Sequence, residues 1–107
     1  MAYSSRELLA RLIKCEAGGE GENGMKAVAS VVMNRVNISY GEYLKTGQGD
    51  LRKVVFQPFQ FTCTLTTLDG QVNPQTIYAS EPDELHYQIA DWALSGNKLW
   101  GVNSALW

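Results

Sequence analysis

Apolar residues return at three- and four-residue intervals in three stretches of the chain, and this spacing predicts three helices. The first runs from Ser4 to about Ala17. Ser4 stands three residues before Glu7 in a capping-box spacing, and Leu9, Leu12 and Ile13 share one stripe. Gly18 and Gly19 stop it. The second follows Asn23, a fair N-cap, and carries Met25, Val28, Ala29, Val32, Met33 and Val36 at helical spacing; it is expected to be the most buried element. The third starts after Ser80 with Pro82 in its first turn, presents Leu85, Ile89, Trp92 and Ala93 on one face, and ends near Gly96.

Between the second and third helices, Asn37 to Ala79 is rich in glycine, polar residues and aromatics, with one short helical possibility at Asp50 to Val55. Gln57 to Thr64 favours extended chain, and the Asp69-Gly70 turn between Leu68 and Val72 predicts a small hairpin. A stretch this long is expected to carry part of the function, because long ordered loops on a rigid scaffold usually bind something. After the third helix comes an apolar tail with Leu99, Trp100, Val102, Leu106 and Trp107, expected to pack back on the domain or to mark a cut. The pattern as a whole is mainly helical α+β, with a small β-hairpin region.

At 107 residues, 45% hydrophobic and 19% charged, the chain suits one domain with one core. Nine basic and eleven acidic residues leave a net charge of -2, which gives no footprint for nucleic acid or an anionic membrane. No apolar run is long enough to span a bilayer, and Met1 to Arg6 leads into the first helix with no visible signal peptide. Two cysteines and one histidine are too few for a four-cysteine or histidine-built zinc site, so neither a metal nor another cofactor is called for.

Glu16 carries the first candidate chemistry. It falls seven positions after Leu9, four after Leu12 and three after Ile13, on the stripe of core residues. Burial there and the negative end of the helix would both raise its pKa, the condition under which a carboxylic acid donates a proton near neutral pH. The alternative is that Glu16 only borders the stripe and pairs with a surface lysine or caps loop amides. Glu20 and Glu22, beyond the two glycines, read as a solvated turn in which Glu20 could orient the loop.

The run from Leu8 through Cys15-Glu16-Ala17-Gly18-Gly19-Glu20, followed by Gly24 and by Ala27-Val28-Ala29-Ser30-Val31-Val32-Met33-Asn34-Arg35-Val36, resembles the spore-cortex and cell-wall hydrolase family of SleB/CwlJ type. That family has a "Glu-Ala-x-Gly-Glu" element and an "Ala-Val-Ala-x-Val-x-x-Asn-Arg-Val" helix. Val54 to Thr62 also resembles its loop ending in Gln-Phe-Ser/Thr. The resemblance implies one lysozyme-like catalytic domain over residues 1–107, which stops short of the family pattern at its C-terminus. Its implied substrate is the glycan of peptidoglycan, in cell wall or spore cortex, and Glu16 is its general acid. In several relatives the reaction is a lytic transglycosylation, and a single carboxylate can perform it where ordinary glycosidases use two. A second acid among Asp69, Glu42 or Asp50 would leave hydrolysis open. Gln60 and Thr62 are candidate sugar-binding groups, with Phe59 or Phe61 stacking on a pyranose face, although Phe61 reads equally as core. Asn34 and Arg35 read as supporting structure.

Two rival readings remain. A nucleophile built from Cys15 or Cys63 with His86 would make an amidase or endopeptidase, but Cys15 near a helix C-terminus is poorly placed for a thiolate, and incidental cysteines with an exposed helical histidine are the simpler account. A non-catalytic peptidoglycan-binding or coat module would make Glu16 structural. A helix-turn-helix reading of the first two helices is opposed by the acidic Glu20 to Glu22 turn. Nothing in the sequence reports the oligomeric state.

Overall fold

Helix α1 spans Ser5–Ala17, and its start follows the chemistry of Ser4, whose Oγ accepts the Glu7 N–H at 3.1 Å. The other half of the capping box does not form. The Glu7 carboxylate is drawn instead to Arg11 Nε, one turn on, at 2.9 Å. The computed structural model describes residues 3–37, 51–56, 61–68 and 70–97. The apolar tail, Gln57 to Gln60, and the acidic candidates Glu42, Asp50 and Asp69 lie outside the described residues.

Past Ala17 the Gly18 N–H still reaches Lys14 O at 2.9 Å, and Glu20 N–H closes the turn on Ala17 O at 3.0 Å. Helix α2 then runs Gly21–Asn37, starting two residues before the expected Asn23 cap. Gly21 takes a φ of 81°, a left-handed value that lets so short a turn reverse the chain directly into a helix. Helix α3, Leu51–Val55, is the short element expected there.

Helix α4 covers Glu84–Leu94 with Asp83 as N-cap, so Pro82 precedes the helix and is not in its first turn. His86, Ile89, Ala90 and Ala93 form its inner stripe, whereas Leu85, one position off it, is 39% exposed. At the far end Gly96 has φ 97°, and the Gly96 and Asn97 N–H groups return to Ala93 O and Trp92 O at 3.1 and 3.3 Å. Those two bonds satisfy carbonyls of the last turn in a Schellman arrangement.

Helices α1, α2 and α4 pack against one another, and α3 lies against α1 and α2. The core is shared between the first two helices, with Leu9, Leu12 and Ile13 of α1 in one cluster with Val28, Ala29 and Val32 of α2. Alanines at 10, 17, 29, 90 and 93 are buried with them. On the outside, Arg6 pairs with Asp91 at 2.7 Å and lies over the Tyr87 ring at 4.4 Å, a surface tie between α1 and α4.

The hairpin forms as expected, with β1 Thr67–Leu68 antiparallel to β2 Gln71–Val72 in the register Thr67↔Val72 and Leu68↔Gln71. The extended chain expected through Thr64 does not. Thr62–Thr64 is a 3-10 turn, closed by Thr64 Oγ1 donating to Phe61 O at 2.8 Å, a local side-chain bond that outcompetes strand pairing. The architecture is therefore mainly helical α+β.

Asn73 ties this turn to the chain leading into α4. Its buried amide donates to Thr62 O and Leu65 O at 3.2 and 2.9 Å, and its Oδ1 accepts Gln75 N–H at 3.0 Å. Asn73→Ala leaves all three groups without that partner and is expected to lower unfolding free energy by about 2–3 kcal/mol. Urea titration checks this: the midpoint falls while the slope stays unchanged.

Candidate functional site

The last turn of α1, the glycine turn after it and the start of α4 enclose a cleft of about 590 Å³. Lys14, Cys15 and Glu16 reach it from α1, and Gly18, Gly19 and Glu20 from the turn. Gln75, Asp83 and His86 come from the segment that Asn73 anchors and from the helix it leads into. Arg11 holds that segment to α1, donating to Ile77 O and Ser80 O at 3.0 and 3.2 Å, and the Lys14 ammonium donates to Glu81 O.

Glu16 is half-buried and its carboxylate accepts the backbone N–H of Cys63. Cys63 is held in place by a disulfide to Cys15, the residue before Glu16, across 48 positions of chain. Its carbonyl in turn accepts Ile77 N–H at 3.0 Å. Burial raises the Glu16 pKa above its ordinary value, the Cys63 N–H opposes that rise, and the charge of Glu20 adds to it. The upward influences win.

Glu20 reaches the cleft because residue 24 is glycine. A methyl group on Gly24 would stand 2.7 Å from Glu20 Cβ and 3.1 Å from its Oε2, so the Glu20 side chain lies directly against the first turn of α2. On the other wall, His86 is buried, and its Nδ1 accepts the Asp83 backbone N–H at 2.9 Å. Burial lowers the His86 pKa, as does the nearby Lys14 charge, against an opposing pull from Asp83. The ring is thereby kept neutral, with its proton on Nε2.

Of the residues singled out from sequence, Glu16 and Glu20 meet in this cleft, and Cys15 and His86 of the rival reading line it too. Thr62 is exposed on the neighbouring 3-10 turn, outside the cleft lining. Phe61 is 3% exposed within the core, its ring 5.9 Å from the Arg35 guanidinium, so it packs and offers no face to a sugar. Phe59 and Gln60 lie outside the described residues. The Cys/His nucleophile is excluded here by the disulfide, which leaves neither sulfur as a thiol. His86, expected to be exposed, is interior because it sits at the third position of α4 on the inner stripe. Sequence reasoning missed Lys14, Gln75, Asp83 and His86 as a cleft wall. The three-residue spacing from Asp83 to His86 is the one local signal of it, since it matches a reciprocal cap.

A half-buried acid and a second carboxylate thus share a cleft on a mainly helical α+β domain. The chain belongs to the Cell Wall Hydrolase family, whose sequence profile matches residues 19–107. The matched span opens just after Glu16 and includes Glu20. The cell wall hydrolase CwlJ of Bacillus subtilis (strain 168) is 28% identical over 101 residues, covering 94% of this chain and 63% of that protein. The chain thus spans under two thirds of this relative's length. No solved structure matches.

Two stability measurements follow. Replacing both cysteines by alanine frees a loop of 48 positions and is expected to cost roughly 2–4 kcal/mol in unfolding free energy, read by denaturant titration under non-reducing conditions. The raised Glu16 pKa penalises the folded state above that pKa and costs nothing below the unfolded value, where the carboxyl is protonated in both states. Glu16→Gln is therefore expected to melt above the wild type at pH 7, the gain shrinking to nothing by about pH 3.5. A gain that persists at the acid end would contradict the assignment.

Proposed function

We propose that this protein cleaves the glycan strands of peptidoglycan, in cell wall or spore cortex, with Glu16 as the general acid. The observation that carries the reading is the Glu16 carboxyl itself, half-buried in an open cleft and held toward its protonated form. Membership of the Cell Wall Hydrolase family and the likeness to the Bacillus subtilis cell wall hydrolase supply the substrate class.

The favoured reaction is lytic transglycosylation after N-acetylmuramic acid. Protonated Glu16 gives its proton to the glycosidic oxygen as the C1–O bond breaks. The C6 hydroxyl of the same sugar then bonds to C1 and returns its proton to the Glu16 carboxylate. The product has a 1,6-anhydro end and no water is consumed. Thr62, with Gln60 and Phe59, is assigned to the neighbouring sugars, and Glu20 to substrate hydroxyls.

One observation favours a second reading. Glu20 shares the cleft and its charge is felt at Glu16, so a carboxylate is at hand to activate water, as in a hydrolytic muramidase. Mass spectrometry of digested cortex separates the two. Anhydromuramic ends that persist in Glu20→Gln support transglycosylation; reducing ends, heavier by one water and lost in Glu20→Gln, support hydrolysis. In either case Glu16→Gln is expected to lower the rate by about 100-fold or more. An active Glu16→Gln variant would sink both.

The pH profile carries a further sign. Activity that needs protonated Glu16 falls on the alkaline side, above the ordinary carboxyl range. Glu20→Gln removes a raising charge and moves that limb to lower pH. A limb that stays in place would separate Glu20 from Glu16.

A further inference from the structure

The acid chemistry uses Glu16 and Glu20 and leaves the other wall of the cleft without a task. His86 is 6% exposed there, and its two ring nitrogens have different fates. Nδ1 is taken by the Asp83 N–H, which commits the proton to Nε2. Among the described residues, no acceptor is within hydrogen-bonding reach of that Nε2–H. Buried donors are nearly always satisfied, so a buried N–H lining a cleft and lacking a protein acceptor is suited to an acceptor that arrives with a ligand.

Lys14 lines the same cleft. Its ammonium has three donors, one of which goes to Glu81 O. No carboxylate of the described residues lies within ion-pair distance of it. The wall thus offers a fixed neutral N–H and a cation with hydrogens to spare, close to an acid that works on a sugar bond. A cation and an N–H on one wall suit a ligand's carboxyl group, as a carboxylate or as the carbonyl of an amide formed on it.

We propose that Lys14 and His86 form a subsite for the lactyl carboxyl group of N-acetylmuramic acid, so that the cleft selects this sugar over N-acetylglucosamine beside the bond Glu16 protonates. The inference rests on the glycan reading above and sharpens it. Both sugars carry an acetamido carbonyl and only N-acetylmuramic acid adds the lactyl carboxyl, and a site built to bond a polar group discriminates most strongly against an analogue without it. His86 acts here as a specificity residue and takes no proton in the reaction.

The chain has one histidine, so its ring signals identify themselves in an NMR titration of the full protein. N-acetylmuramic acid is expected to shift the His86 Hε1 and Nε2 resonances saturably, and N-acetylglucosamine to leave them in place. Lys14→Met is expected to weaken N-acetylmuramic acid binding by about tenfold. Two further variants separate recognition from helix capping. His86→Gln keeps an acceptor for the Asp83 N–H and also a donor, whereas His86→Glu keeps the acceptor alone. The sugar preference, read by isothermal titration calorimetry with the two sugars, should survive in the first and vanish in the second, with both melting close together. Equal behaviour of these two variants, equal shifts from both sugars, or a silent His86 overturns the subsite. Cortex cleavage by a protein whose His86 stays silent would fail this inference alone. A His86 response without cleavage would fail the catalytic reading and leave the subsite standing.

Discussion

The disulfide between Cys15 and Cys63 joins the end of α1 to a 3-10 turn 48 positions away, and the Cys63 N–H then meets the carboxylate of the very next residue, Glu16. Everything distinctive about the site depends on that closure. It buries the acid from one side while giving it a single backbone donor. It also anchors the turn from which Asn73 and Ile77 carry the chain toward α4, and so brings Asp83 and His86 to the opposite wall. A helix end alone would leave Glu16 open to water, without the burial that is the largest cause of its raised pKa.

Within the cleft one physical cause drives two groups in the same chemical direction. Desolvation disfavours charge, so it raises the carboxyl of Glu16 and lowers the imidazole of His86, moving both toward their neutral forms. The neighbours modulate this. Glu20 reinforces the rise at Glu16, Lys14 reinforces the fall at His86, and the Cys63 N–H and Asp83 act against them. The result is a carboxyl biased toward its protonated form and a neutral imidazole that can give a hydrogen bond. The two roles do not compete, because one proton leaves during reaction and the other stays on its nitrogen.

Much of this fold could be read from local pattern. α1 begins at Ser4 and stops at the glycines because capping and helix breaking act over a few residues, and the Asp69-Gly70 hairpin is equally local. Glu16 stood out for the same reason, by its place on a stripe of buried neighbours. What could not be read depends on contacts between distant parts of the chain. The pairing of Cys15 with Cys63 has no local signature, and it removes the thiol chemistry that two cysteines and a histidine suggested. His86 looked exposed because Leu85, Ile89, Trp92 and Ala93 fit a helical stripe as well as His86, Ile89, Ala90 and Ala93 do, and only the packing of the helix decides which stripe faces inward. Glu20 is exposed, as a solvated turn predicts, but nothing local reveals that its side chain lies against Gly24 and also lines the cleft. The extended chain expected at Phe61 to Thr64 gave way to a hydroxyl bonding its own backbone, and Phe61 turned into the core.

The claim that a closed, half-buried site holds Glu16 toward its acid form is tested most directly by carbon-detected NMR titration of the glutamate side-chain carboxyls, with Glu16 assigned by its absence in Glu16→Gln. The account predicts that Glu16 titrates above the ordinary value of 4.5 and moves back toward it in Glu20→Gln. A Glu16 that titrates at or below that value would mean that the Cys63 N–H outweighs burial, and would contradict its role as a general acid.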